Sequence, residues 1–259
     1  MDYGLIGEKL GHSLSKPVHE KLADYTYQLC PLSKDEFSSF MKKKDFKAIN
    51  VTIPYKRDVL PCLDSIDRHA ASIGAVNTIV NRKGKLYGYN TDYSGFLYMI
   101  KHHDIHVPDS KCIVLGNGGA ARAILSVLND EKARELVIVN VRAGKGAISY
   151  EECFAKHKDA DIVVNTSPVG MYPNIHATPV DLTKFPNCKA VIDIIYNPLE
   201  TMLSKQGKAL GMTAVTGLEM LVAQAKYAVE IFLDERIDDK RIHSIYLELI
   251  DSQKTPPIP

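Results

Sequence analysis

The sequence predicts an α/β protein with mainly parallel sheets, on three observations. Short apolar runs alternate with amphipathic helical patterns along the chain. Its 259 residues accommodate two domains of ordinary size. Near the middle, the apolar run Cys112–Leu115 passes through a glycine-rich turn into a helical pattern, Ala121 to about Leu128, a strand–turn–helix junction.

In the first hundred residues, Tyr3–Gly7, Thr26–Cys30 and Ala48–Ile53 read as strands, with helices Lys16–Asp24 and Lys34–Lys43 between them. Ala75–Asn81 and Lys85–Tyr89 flank Arg82-Lys83-Gly84, a good hairpin turn. Thr91-Asp92 is placed to cap a helix running to about His103. His106–Ser110, with Pro108 inside it, reads as a domain boundary. Beyond it the expected strands are Cys112–Leu115, Leu136–Asn140, Ile162–Asn165, Ala190–Ile194 and Thr213–Val215. The helix between the second and third of these should be short or missing, because Ala143–Asp161 opens on the poor start Ala143-Gly144-Lys145-Gly146-Ala147. Apolar spacing gives helices at Glu219–Leu233 and Asp239–Ile250, and the proline-rich tail Thr255–Pro259 should fray.

The glycine turn is the most informative stretch. Gly116, Gly118 and Gly119 stand at its first, third and fourth places and Ala121 at its sixth, around Asn117 and Ala120. A dinucleotide pyrophosphate needs this arrangement: a tight turn, close backbone approach to the phosphates, and a small residue where helix packs on strand. The helix N-terminus then offers free N–H groups to the anion. The next strand ends Val139-Asn140-Val141-Arg142, without the acid that bonds a ribose 2′-hydroxyl and with Arg142 and Lys145 nearby. Cations without a carboxylate suit a 2′-phosphate, so NADP is favoured and NAD is left open.

Composition argues against other classes. Lys+Arg (32) nearly cancel Asp+Glu (31), so no nucleic-acid or anionic-membrane partner is expected. No apolar segment approaches membrane-spanning length, and Met1–Leu5 lacks a signal-peptide pattern. The five cysteines are scattered, with no Cys-x-x-Cys pair, which suits reduced thiols in a cytoplasm and gives no reason to expect a metal.

A second group of polar residues precedes the glycine turn. Asn50-Val51-Thr52-Ile53-Pro54-Tyr55-Lys56 delivers Asn50, Thr52 and Lys56 to the carboxyl end of a strand, where ligands bind in open α/β sheets. Ala75-Val76-Asn77-Thr78 and Asn90-Thr91-Asp92 place further polar groups at element ends, and His12-Ser13-Leu14-Ser15 occupies the first strand-to-helix loop. Singly, each has a local explanation: Ser15 or Thr91 as a helix N-cap, Asn77 as a turn residue, Lys56 as a solvated cation. Together they offer hydroxyls, amides, an ammonium and a carboxylate to a polar metabolite.

This set, with Asn165-Thr166-Ser167-Pro168-Val169-Gly170-Met171, Asp193-Ile194-Ile195-Tyr196-Asn197-Pro198 and Thr216-Gly217-Leu218-Glu219-Met220-Leu221-Val222-Ala223-Gln224-Ala225, resembles the shikimate dehydrogenases from Tyr3 to about Ile250. The resemblance implies an N-terminal α/β substrate domain (1–105, with the final helix 239–250 packing back on it), a C-terminal Rossmann-type NADP-binding domain (106–233), and a cleft between them. It implies reversible reduction of 3-dehydroshikimate to shikimate, in aromatic amino-acid biosynthesis, by a cytoplasmic monomer or homodimer. Lys56 and Asp92 would be the catalytic pair. Ser13, Ser15 and Thr52 would hold the substrate carboxylate; Asn77, Asp92 and Gln224 its ring hydroxyls; and Tyr196 would lie close by. Gly116, Asn117, Gly118, Gly119, Ala120, Asn140, Arg142, Thr166 and Gly217 would meet the cofactor. The chain departs from the family where Asn-Arg-Thr is usual: Arg142 comes one place late, after Val141, and one step along an extended backbone reverses a side chain's direction. It also has Lys16 between Ser15 and Pro17, where proline usually follows at once; Lys16 is expected in solvent, and His19 is expected to pack or cap. Other readings to be tested are an NAD-dependent quinate/shikimate dehydrogenase, a methylenetetrahydrofolate dehydrogenase of the same fold, and a non-catalytic dinucleotide-binding regulatory module.

Overall fold

A computed structural model describes residues 1–11, 13–144 and 146–254, with Gln253 and Lys254 described by backbone alone. The expectations for His12, Lys145 and the tail 255–259 fall outside the described residues. The chain divides into two compact units, Met1–Gly95 with Leu221–Pro259, and Phe96–Met220.

The first unit runs β1 (Tyr3–Gly7), α1 (Ser15–Leu22), β2 (Tyr27–Pro31), α2 (Lys34–Lys43), β3 (Ala48–Val51), β4 (Ser65–Ile66), α3 (Arg68–Ile73), β5 (Thr78–Arg82), β6 (Lys85–Tyr89) and α4 (Thr91–His102), which carries the chain into the second unit. Its sheet has the order β2-β1-β3-β5-β6-β4. Three pairings are parallel, but β5 runs antiparallel to both β3 and β6, so the sheet is mixed. The antiparallel strands follow from the hairpin, whose two turn residues, Lys83 (φ 55°) and Gly84 (φ 84°), both take the positive φ that a tight turn requires. Two strands are shorter than the sequence suggests. The third ends at Val51, two residues before the cis Ile53–Pro54 bond, and the hairpin's first strand begins at Thr78, after the left-handed Gly74 and a loop through Asn77.

Alternating side chains bury both faces of this sheet. Ile6, Ile49, Val51 and Ile79 pack with Phe37 and Met41 of α2 on one face. Leu5, Ala48 and Val80 pack on the other, against Ala228 and Phe232 of the helix at Leu218–Leu233. That contact corrects the expected division: most of this helix belongs to the first unit, and the boundary falls inside α4 and not at 106–110. An amphipathic pattern shows that a helix has an apolar face, not which sheet receives it. The helix at Lys240–Lys254 also belongs here, joined to α1 by Lys21–Glu248 (2.6 Å) and by Arg241 donating to the Lys21 carbonyl (2.6 Å).

The second unit continues with β7 (Lys111–Leu115), α5 (Gly119–Asp130), β8 (Glu135–Val139), β9 (Ala147–Ile148), α6 (Tyr150–Lys156), β10 (Ile162–Asn165), β11 (Ala190–Asp193), α7 (Met202–Ala209), β12 (Thr213–Thr216) and α8, the helix Leu218–Leu233 already met; α9 is Lys240–Lys254. Its sheet, β12-β11-β10-β7-β8-β9, is parallel throughout. Counted from β7, this is the 3-2-1-4-5-6 order of a dinucleotide-binding sheet, with its topological switch between β7 and β10. The expected short helix is α6, seven residues capped by Ser149, whose hydroxyl accepts from the Glu152 N–H. The short strand β9 and helix α7 were not anticipated from the sequence. No helix among the described residues is long and apolar enough to cross a membrane.

Candidate active site

In the first unit the polar residues gather where β1 and β3 end. The chain leaves β1 for β2 on one side and returns as β3 on the other, so their carboxyl ends flank a switch point. Ser13 and Ser15 lie in the loop after β1, where the Ser13 hydroxyl accepts from the Ser15 N–H (3.2 Å). Helix α1 is entered through Leu14 without a side-chain cap, so Ser15 is not the N-cap. Thr52 follows β3, its N–H donating to the Ile6 carbonyl (2.9 Å). Tyr55 anchors the next turn with its phenol on the Leu32 carbonyl (2.6 Å), and Lys56 follows.

Lys56 and Asp92, 36 residues apart, are brought together: the ammonium donates to Asp92 Oδ2 at 2.5 Å, with side chains 19% and 13% exposed. Asp92 Oδ1 accepts from Asn77 Nδ2 (2.9 Å). Asn77 Oδ1 accepts in turn from the Thr91 N–H (2.7 Å), the Thr78 hydroxyl (2.9 Å) and the Thr91 hydroxyl (3.2 Å). Asn50 Nδ2 donates to the Asn77 carbonyl and to Thr78 Oγ1 (both 3.1 Å), and the Tyr27 phenol donates to Asn50 Oδ1 (2.7 Å). Gln224 joins at the edge: its Oε1 lies 3.4 Å from Thr91 Oγ1 and its Nε2 donates to the Leu221 carbonyl (2.9 Å). The helix cap differs from expectation, since Asn90, and not Thr91 or Asp92, offers its side-chain oxygen to the Tyr93 N–H (3.4 Å).

His19 packs, as expected. Its ring stacks on Tyr27 at 4.0 Å and bonds the Tyr25 hydroxyl (2.8 Å), and complete burial pushes its pKa down to about 3, so it stays neutral. Lys16, expected in solvent, is held by Glu20 (2.6 Å) and the Tyr27 carbonyl (3.0 Å).

In the second unit the glycine turn fits a dinucleotide on its own geometry. Gly116 has φ +103°, and a Cβ there would meet Thr166 Oγ1 at 2.8 Å. Cβ atoms on Gly118 and Gly119 would meet nothing within 4 Å, so the space over the start of α5 is open. Gly118, the N-cap, has no side chain to occupy the first N–H groups of this twelve-residue helix. Thr166 donates to the Leu115 carbonyl (2.7 Å), tying β10 to β7 at the switch point. Asn140 turns its Oδ1 onto the Val141 N–H (3.0 Å), while Val141 and Arg142 stand exposed. Gly217 sits so close to the Ile194 backbone that a Cβ would lie 2.0 Å from its carbonyl oxygen. Tyr196 is half-buried, which raises its phenol pKa.

Two arrangements escaped sequence reasoning. Asp193, fully buried, accepts from Thr201 (2.8 Å), Asn165 (3.0 Å) and the Ile195 N–H (3.2 Å), yet burial outweighs these bonds and raises its pKa to about 6. His102 and His103 bond the two oxygens of buried Glu219 at 2.5 and 2.6 Å. Their only sequence signal is polarity at a strand or helix end, which ordinary caps share.

A family described as "Shikimate dehydrogenase substrate binding domain" matches residues 5–79. The chain is 41% identical to a shikimate dehydrogenase (NADP(+)) of Clostridium perfringens, over 95% of this chain and 97% of that one. It is similarly related, at 36% identity over 88% of its length, to one from Methanosphaera stadtmanae, of which 90% is covered. Among solved structures, a chorismate mutase/shikimate 5-dehydrogenase fusion from Clostridium acetobutylicum superposes with a TM-score of 0.91 at 37% identity, covering 98% of both chains. The Thermus thermophilus shikimate 5-dehydrogenase, in complex with NADP(H) and shikimate, superposes with 0.85 at 28% identity, covering 96% of this chain and 99% of that one. With that identity sustained over nearly all of both partners' lengths, the chain belongs to the shikimate dehydrogenase family.

Proposed function

We propose that the chain catalyses the reversible NADP-dependent reduction of 3-dehydroshikimate to shikimate. The observation that carries this reading is the Lys56–Asp92 pair, partly sheltered from water and backed by Asn77. The reaction delivers a hydride to the ketone carbon and a proton to its oxygen. When bound, the nicotinamide supplies or takes the hydride. Lys56 as ammonium donates the proton, and as neutral amine accepts it in the reverse direction, a transfer worth on the order of 10²–10⁴-fold in rate. Asp92 holds Lys56 in place and accepts from a ring hydroxyl.

The remaining roles follow from which hydrogen-bonding sites are free. The Ser13 hydroxyl already accepts from Ser15, so its hydrogen is available to a substrate carboxylate, which Ser15 and Thr52 also serve. Asn77 has its oxygen engaged and one N–H on Asp92; its second N–H is left for a ring hydroxyl. Gln224 keeps one N–H beyond its bond to Leu221, and the family resemblance gives Tyr196 a role close to the substrate. The Gly116–Ala120 turn with Asn117, Asn140, Thr166 and Gly217 would hold the cofactor, and the Arg142 guanidinium would meet its 2′-phosphate. The enzyme is inferred to work in a cytoplasm as a monomer or homodimer, without nucleic-acid partners.

The test is absorbance at 340 nm with shikimate or quinate and NADP or NAD. Turnover of shikimate preferring NADP supports the reading. Equal or better use of quinate with NAD favours the quinate/shikimate alternative. Cofactor binding without turnover of either alcohol favours a regulatory module, and activity on a methylenetetrahydrofolate alone would refute the assignment.

A further inference from the structure

We propose that Thr78 is a positioning residue whose hydroxyl fixes the orientation of the Asn77 amide and, through it, the placement of Asp92 against Lys56. The role rests on the functional reading above and extends it one layer into the protein.

Thr78 is fully buried, and Asn50, Asn77 and Thr91 are each 5% exposed or less, so water does not complete their hydrogen bonds. The two ends of the Asn77 amide have nearly the same shape, and only the neighbours decide which end faces Asp92. A carboxylate accepts, so the NH₂ end must face it. What enforces that choice is the set of donors around the oxygen end. The Thr91 N–H is a fixed donor, at 2.7 Å. The Thr78 hydroxyl, at 2.9 Å, is a second, its oxygen receiving an N–H from Asn50 (3.1 Å); the Thr91 hydroxyl, 3.1 Å from Thr78 Oγ1, is a third at 3.2 Å. One Asn50 amide hydrogen goes to the Asn77 carbonyl and the other to Thr78, and its oxygen takes the Tyr27 phenol. Every member has a partner, and the polarity runs one way: Tyr27 to Asn50, Asn50 to Thr78, Thr78 to Asn77, Asn77 to Asp92. Only a hydroxyl in the Thr78 position both receives from Asn50 and gives to Asn77.

The variants are Thr78→Val, which replaces the hydroxyl by a methyl group of similar size, and Thr78→Ser, which keeps it. Each is made in the parent and in an Asn77→Ala background, with thermal melts alongside. In the parent, Thr78→Val should lower kcat/KM for shikimate about tenfold, the effect of one net hydrogen bond. Thr78→Ser should stay within about threefold of the parent. In the Asn77→Ala background the valine substitution should cost less than about twofold, because the group through which Thr78 acts is gone. A purely structural Thr78 would instead give the same loss in both backgrounds, and that result overturns the proposal. So does a folded Thr78→Ser that falls tenfold, since the methyl group and not the hydroxyl would then matter; this arm decides the question even if Thr78→Val fails to fold. A parent that turns over shikimate beside a Thr78→Val variant that matches it ends the positioning role alone. A parent with no turnover ends the functional reading and this role with it.

Discussion

Replacing Lys56 by alanine should remove turnover and leave the fold. Among the described residues, the Lys56 side chain is held by a hydrogen bond to Asp92. Its deletion strands the carboxylate of Asp92, and stranding the partner of a fully buried pair costs about 3–5 kcal/mol. This pair is not fully buried: the side chains are 19% and 13% exposed, Asp92 retains the bond from Asn77, and the space vacated by the lysine opens it further to water. The cost should therefore fall to about 1–3 kcal/mol, inside the roughly 5–15 kcal/mol of a typical domain. For units of this size that corresponds to a melting temperature lowered by about 3–10 °C. Turnover should fall by about 10²–10⁴, the contribution of a positioned proton donor. The assay is the 340 nm initial rate with shikimate and NADP, on protein whose melt confirms folding. A folded variant with kcat within about fivefold of the parent would remove Lys56 from the mechanism. A variant that no longer folds would refute the argument that partial exposure softens the loss.

Three further outcomes are expected. Arg142→Ala should raise the KM for NADP about 10–100-fold and leave that for NAD nearly unchanged, since a charge-assisted bond to phosphate is lost; equal changes for both cofactors would exclude this arginine from the phosphate site. Gly217→Ala should lower stability by about 1–3 kcal/mol or more, because its Cβ would press on the Ile194 backbone oxygen 2.0 Å away; a melt matching the parent would refute the close approach. Asp193 titrates near pH 3.8 when unfolded and about 6 when folded, so the unfolded chain binds fewer protons between these values and stability declines as pH rises through them. Urea unfolding of the parent relative to Asp193→Asn should show the parent losing about 2 kcal/mol between pH 4 and 7, and a flat difference would refute a raised carboxyl.

What was legible in the sequence was local. The glycine turn, the strand before it and the helix after it are specified by neighbours within a dozen residues, as is the Lys83-Gly84 hairpin. The polar residues at 13, 15, 52, 56, 77 and 92 stood out as a group at element ends; singly each had a local explanation, and their roles came from the motif resemblance. What was not legible depends on contacts distant in sequence. Helix α8 is apolar on the face that meets β1 and β3, more than 170 residues earlier, and no periodicity encodes that address. Tyr27 looks like an ordinary strand residue, and Asn50 and Thr78, visible as polar groups at strand ends, show no network until the sheet register sets Asn50 beside Thr78. Asp193 ends a strand as many loop acids do, and only the Thr201 and Asn165 side chains reveal that it is sealed in.

The two units prepare for ligands by opposite means. Around Gly116–Gly119 the chain works by omission: no Cβ, no capping side chain, backbone N–H groups left bare at a helix start. Around Asn77 it works by completion, with the buried Asn50, Thr78 and Asn77 side chains bonded to one another and on to Asp92. These strategies fail differently. A loop that works by omission is spoiled by any added atom, so even alanine at Gly116, where φ is +103° and Thr166 stands 2.8 Å from the Cβ position, is a drastic change. A network that works by completion tolerates changes of size and is spoiled by changes of polarity, because one missing acceptor leaves a buried donor with no alternative. Conservative replacement therefore means different things in the two units. Small-for-small substitution is the mild change at the glycine turn only where the backbone permits it. At the polar cluster the mild change is hydroxyl for hydroxyl, and an isosteric methyl is the severe one.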